Sequence, residues 1–147
     1  VAGYFVRAGY QVHGVDSSPA MIERCRARFP DSTWDVADMR TLSLGRTFDG
    51  LLAWDSFFHL TRDDQRRMFA VFRAHAAPHA ALMFTSGPAA GEAIGSYQGE
   101  ALYHASLATA EYEELLAAHG FSTVQHVIED QECGGLTVWL ARMRTSG

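Results

Sequence analysis

The sequence predicts an α/β domain, a doubly wound and mostly parallel sheet with a C-terminal antiparallel hairpin. Strand-like and helix-like patterns alternate along the chain, as they do in βαβ units. The strand patterns at 11–15 and 33–36 run into acids, Asp16 and Asp38, where such sheets bind ligands. The last apolar segments, 122–128 and 136–143, are joined by the short 129–135 segment and read as antiparallel neighbours.

The first segment, Val1 to Ala8, has helical spacing and stops at Gly9, a residue suited to the left-handed position beyond a helix end. Gln11 to Val15 alternates polar and β-branched residues. Asp16-Ser17-Ser18-Pro19 then turns the chain into a helix: either serine can cap it, Pro19 suits its first turn, and Ile22, Cys25 and Phe29 share a face before Pro30. Phe48 to Trp54 reads as a buried strand. Thr61 with Asp64 opens a helix whose stripe is Met68, Phe69, Val71 and Phe72, and Pro78 closes it. Ala80 to Thr85 is a buried strand, and 87–99 reads as a Gly-rich surface loop or lid. Thr109 opens the last helix, acidic at Glu111, Glu113 and Glu114, with Leu115 and Leu116 inward and Gly120 at its end.

Composition narrows the function classes. The 147 residues are 48% hydrophobic and 20% charged, enough for one globular domain spanning 1–147. All 12 basic residues are arginines, against 17 acids, for a net charge of -5, so a nucleic-acid-coating surface is not expected. Without lysine, Schiff-base and P-loop mechanisms are excluded. Cys25 and Cys133 are too far apart in sequence to suggest a thiolate zinc site or a disulfide framework, which fits a reducing cytoplasm. No apolar run has a spanning helix's length. His75 and His79 have helical ligand spacing, but Pro78 lies between them, and no metal is assigned.

An acid ending the second strand of a doubly wound fold suits the paired hydroxyls of an adenosine ribose, because a carboxylate is a two-oxygen acceptor. Asp16 is the leading candidate. Asp38 is placed to accept an adenine amino group, with Met39 lending backbone and apolar contact. As single residues, both acids are more readily read as solvated turn residues, and it is their pairing at matching strand ends that favours the ligand role.

A family resemblance then covers nearly the whole chain. Gly9-Tyr10-Gln11-Val12-His13-Gly14-Val15-Asp16-Ser17-Ser18-Pro19-Ala20-Met21 resembles the second-strand signature of class I S-adenosylmethionine-dependent methyltransferases. Asp38-Met39-Arg40 resembles their adenine-contacting turn, and Ala118-His119-Gly120-Phe121 the turn before their sixth strand. Phe48 to Ala53, with Ser56 and His59-Leu60, resembles the fourth-strand motif of the bacterial small-molecule branch. The resemblance implies S-adenosylmethionine as cofactor, held by Asp16, Ser17, Asp38, Met39 and Ala53, and a small-molecule methyl acceptor. It places His59 beside the methyl group as a candidate base oriented by Asp55, and puts Tyr97, Tyr103 and His104 in the segment that shapes the acceptor pocket. His59 is also readable as a structural histidine, and the aromatic residues as surface-loop packing.

Two departures from the family pattern stand out. The family's first strand and Gly-rich loop would precede Val1, so an N-terminally incomplete domain that binds the cofactor poorly by itself is expected. Ala77-Pro78-His79-Ala80-Ala81 stands where the family has Pro-Gly-Gly. Two other functions compete: a nicotinamide-dependent oxidoreductase, where the same acid would bind ribose, and a catalytically silent methyltransferase-like binding module.

Overall fold

The computed structural model describes residues 2–53, 60–86, 91–97, 100–130 and 136–144. The chain divides into two compact units, Val1–Leu42 and Ser43–Gly147.

The first unit contains α1 (Ala2–Arg7), β1 (His13–Asp16), α2 (Pro19–Arg28), β2 (Thr33–Val36) and a 3₁₀ turn, η1 (Met39–Thr41). Gly9 ends the first helical segment at φ 91°, the left-handed conformation expected of it. β1 and β2 pair in parallel from His13↔Thr33 to Asp16↔Val36. Of the serines available to cap α2, Ser18 does so, its Oγ accepting from Met21 N at 3.3 Å with Pro19 in the first turn. α2 buries Ile22, while Cys25 and Phe29 are half-buried. Arg26 is tied to the β2 backbone, donating to Trp34 O at 2.8 Å. Trp34 is buried and donates its Nε1 to Phe29 O at 2.9 Å. Its ring lies over Gly14 so closely that an added Cβ would stand 2.2 Å from the indole.

The second unit contains β3 (Phe48–Ala53), α3 (Arg62–His75), β4 (Ala76–Ser86), β5 (Gly91–Tyr97), β6 (Glu100–Ser106), α4 (Thr109–Ala118), β7 (Phe121–Asp130) and β8 (Leu136–Met143). Its four-stranded sheet has the order β3-β4-β8-β7. β3 and β4 are parallel, while β8 is antiparallel to both β4 and β7. The C-terminal pair is thus the antiparallel closure that the sequence predicts.

Three local expectations are corrected. The 87–99 segment is not a structureless loop: residues 91–97 form β5, antiparallel to β6 from Gly91↔Ser106 to Tyr97↔Glu100. The small residues Gly91, Ala93, Gly95 and Ser96 conceal the strand's alternation, and the informative pattern lies in its partner. α3 ends at His75, before Pro78, because the proline disfavours helical backbone just ahead of it. β3 is a half-buried edge strand with Leu52 exposed, rather than a buried one.

The entry into β4 is irregular. Between the pairs Phe48↔Ala76 and Gly50↔Ala81, β3 advances two residues and β4 five. His79 lies inside this bulge at φ 66°, where the family pattern would place glycine. Histidine's β-carbon makes that conformation costly.

α3 and α4 pack under the sheet. Thr61 caps α3 by accepting from Asp64 N at 3.2 Å, and Met68, Phe69 and Phe72 are buried, with Val71 half-buried. Phe84 of β4 stacks on Trp139 of β8, with centroids 5.8 Å apart, and meets Phe69 edge-on at 5.8 Å. His75 joins the end of α3 to the approach to β3: its Nδ1 donates to Val71 O at 2.8 Å and its Nε2 accepts from Leu44 N at 3.1 Å. His119 similarly binds the carbonyl end of α4, donating to Leu115 O at 2.8 Å.

Gly14→Ala is expected to destabilise the fold by about 1–3 kcal/mol through overpacking against Trp34, with partial recovery in a Gly14→Ala/Trp34→Leu double variant, both read from chemical denaturation. His79→Gly is expected to stabilise it by up to about 1 kcal/mol, because it removes a left-handed β-carbon. An unchanged or lower melting temperature would rule out strain at this position.

Candidate cofactor site

The parallel register of β1 and β2 brings the acid-bearing strand ends together. Asp16 is the last residue of β1, and its carbonyl accepts from Ala37 N at 3.0 Å, fixing the exit of β2 against the exit of β1. Asp38 follows directly. Both acids predicted to bind adenosine therefore stand on one rim of this small sheet.

Their surroundings differ. Asp16 is exposed, and its Oδ1 accepts from Ser18 N at 2.8 Å, an Asx turn that orients the carboxylate. Oδ2 has no protein donor among the described residues. Ser17, between Asp16 and the cap, is also exposed.

Asp38 is already engaged. Its Oδ1 accepts from Arg40 N at 2.9 Å and from Arg40 Nε at 3.0 Å, while its Oδ2 accepts from Nε at 3.0 Å and Nη2 at 2.5 Å. These donors fill the sites a carboxylate offers. The Arg40 hydrogen bonds lower its pKa from 3.8 to about 2. Asp38 is also the N-cap of η1, which makes Met39 the first residue of the turn. A backbone N–H at that position has no acceptor within its own helix. It is the kind of donor a purine ring nitrogen accepts from.

In the second unit, Ala53 is buried at the end of β3, paired with Phe84 of β4. Asp55, Ser56 and His59 lie outside the described residues, as does Trp54. Tyr97, Tyr103 and His104 belong to the β5–β6 ladder and not to a loop, opposite Glu100, Ile94 and Ala93 respectively. The two-residue period puts positions 97 and 104 on one face of the ladder and 103 on the other. His75 and His79, set aside as ligands from sequence, are separated by the α3–β4 boundary and the bulge.

The sequence reading missed a buried polar cluster beside these elements. Gln65 of α3 is fully buried; its Nε2 donates to Leu60 O at 3.0 Å, and its Oε1 accepts from the Tyr112 hydroxyl at 2.6 Å. Tyr112 in turn accepts from Leu107 N at 3.0 Å, with Ser106 Oγ at 3.3 Å. Desolvation pushes the phenol pKa up from its ordinary value. The available signal was an uncharged polar residue inside an apolar helical stripe. Nearby, Arg66 of α3 pairs with Glu111 of α4 at 2.5 Å, and its hydrogen bonds hold the Glu111 carboxyl below its ordinary range.

The sequence pattern of a methyltransferase domain family matches residues 1–79. The chain belongs to that family, the one its second- and fourth-strand segments resemble, and is a methyltransferase by family. No curated protein matches it. Among solved structures it is similar to CalS10, an amino pentose methyltransferase from Micromonospora echinaspora, at 20% identity and TM-score 0.74, covering 95% of this chain and 77% of that one. A methyltransferase from Methanosarcina mazei has 16% identity and TM-score 0.80, covering 99% and 88%. One from Clostridium acetobutylicum has 11% identity and TM-score 0.77, covering 97% and 78%. Both of these are described as S-adenosylmethionine-dependent, and the shared fold is Rossmann-like.

Arg40→Ala is expected to return the Asp38 pKa from about 2 toward 3.8, read by NMR titration of its carboxyl carbon. Since the folded pKa is the depressed one, any stability the pair contributes is present above 3.8 and is lost as pH falls toward 2. The variant should lose this acid-side dependence. A titration that does not move would show that Arg40 is not the cause.

Proposed function

We propose that this protein transfers a methyl group from S-adenosylmethionine to a small-molecule acceptor. The observation that carries the reading is the pair of acids on one rim, tied by the Ala37 N to Asp16 O hydrogen bond, with an oxygen of Asp16 open to a ligand. Family membership supports the methyl-transfer chemistry. The acceptor class is supported by the company of the fold: solved neighbours include enzymes acting on an amino pentose and on 1,6-didemethyltoxoflavin.

In this reading the Asp16 carboxylate accepts from the ribose hydroxyls, with Ser17 beside it. Met39 N–H meets the adenine edge, and Asp38 accepts from the adenine amino group by releasing a donor of Arg40. Ala53 leaves space for the cofactor at the end of its strand. Bound S-adenosylmethionine supplies a methyl group activated by its sulfonium. The transfer is an in-line displacement, so the protein's part is to align the acceptor and exclude water. His59 takes the acceptor's proton where the acceptor must lose one, Asp55 orients it, and Tyr97, Tyr103 and His104 contribute to acceptor recognition.

Calorimetric titration of S-adenosylmethionine, with NAD as control, tests the reading on this chain and on an N-terminally extended form. Binding of S-adenosylmethionine by either form supports it. Binding by neither favours the silent-module alternative, and binding of NAD alone favours the oxidoreductase. Asp16→Ala is expected to weaken cofactor binding by roughly 1–3 kcal/mol, the loss of charge-assisted hydrogen bonds. Equal affinity in a folded variant would remove Asp16 from the site.

A further inference from the structure

β7 closes one side of the four-stranded sheet, and among the described residues β8 is the strand it pairs with. Ser122, Thr123, Val124, Gln125 and Ile128 along it are exposed, the apolar Val124 and Ile128 by 58% and 55%. Both stand where the register with β8 shifts, and His126, paired with Trp139, lies midway between them. Edge strands commonly carry lysine, proline or inward charge that discourages pairing with another chain. Residues 121–128 hold no lysine, proline, arginine or acid. The register shifts bend the strand, but they lie on either side of His126, so the bends of two copies match when one is turned about that residue.

Charge is confined to the strand's ends. Ser122 pairs with Arg142 of β8 and accepts at Oγ from Arg144 Nε at 3.0 Å, and both arginines are exposed. The other end of β7 closes on the acids at positions 129 and 130. A strand that is basic at one end, apolar in its exposed middle and acidic at the other end complements a second copy of itself laid antiparallel.

We propose that β7 pairs antiparallel with β7 of a second copy of this chain, about a two-fold axis at His126. This register sets Val124 of each copy opposite Ile128 of the other, and Ser122 with its arginines opposite position 130. Each contact is made twice, as in any two-fold interface, and the pairing joins the two sheets edge to edge. Each His126 ring is held over its own Trp139, with centroids 3.8 Å apart, so the axis is not crowded by two free rings. Burial lowers the histidine pKa, and the two copies meet uncharged there at neutral pH. One strand pair is a small interface, so association belongs to the micromolar range.

Sedimentation equilibrium of the chain from about 1 µM to 1 mM tests the pairing. The mass should rise from one chain to two. Val124→Lys and Ile128→Lys, both at exposed positions, should each weaken the dimer about tenfold, as lysine does on an edge strand. Asp130→Arg and Arg144→Asp should each weaken it about fivefold. Their double variant should return to within about twofold of the parent, because the two positions lie at opposite ends of β7 and restore opposite charges only between copies. A parent that stays monomeric throughout, or a dimer indifferent to both lysine variants, overturns the proposal. So does a charge-swapped double variant no better than the single ones. Circular dichroism checks each fold, and if Val124→Lys does not fold, Ile128→Lys and the charge swap decide.

Discussion

Phe84 is the contact on which the second unit is organised. It is fully buried in β4, a central strand, and touches the rings of Phe69 and Phe72 from α3, Tyr112 from α4 and Trp139 from β8. A buried aromatic side chain of this kind contributes about 1.5–3 kcal/mol by burial, and its ring geometry adds directional preference. Because these neighbours come from both helices and from β8, the arrangement of both helices on the sheet follows from one side chain's surroundings. The polar groups then fall into place around it. Trp139 donates to Ser86 Oγ at 3.0 Å, and the Tyr112 hydroxyl meets Gln65 where the rings end.

The first unit is organised by a smaller constraint. β1 and β2 are short, and Trp34 is the large side chain that covers them, made possible by the missing β-carbon at Gly14. The register that results is what matters for chemistry. A one-residue slip would turn the side chains to the other face and shift Asp38 along the strand by about 3.3 Å relative to Asp16. A packing requirement at Gly14 therefore acts on the candidate site through strand pairing, although Gly14 itself holds no ligand-binding group.

Much of this was legible in the sequence, for identifiable reasons. Ser18, Pro19, Thr61, Gly9 and Gly120 are residues whose preferences arise from their own backbone, so caps and helix ends follow from local chemistry. The acids were legible because strand ends are. What was not legible depends on contacts between distant segments. β5 is built from small residues and shows itself only when paired with β6. Gln65 and Tyr112 are separated by much of the unit, and nothing local marks them as partners. Arg40 beside Asp38 was in plain view, yet only the side-chain geometry shows that it occupies both carboxylate oxygens.

That last point distinguishes acids that look alike in sequence. A ligand approaching Asp16 finds an oriented carboxylate with an open oxygen, so the hydrogen bonds it forms there are mostly new. At Asp38 it must exchange with a guanidinium, and the net gain is the difference between two charge-assisted bonds. The exchange is inexpensive because the pair is solvent-exposed, where ion pairs contribute little. Asp38 is ionised at neutral pH with or without Arg40, which only lowers its pKa further, to about 2, so the group at this strand end is an acceptor and not a donor. Adenine, with its amino group, matches an acceptor there. A purine with a carbonyl at the same place does not, so in the function proposed above Asp38 discriminates the base while Asp16 supplies affinity.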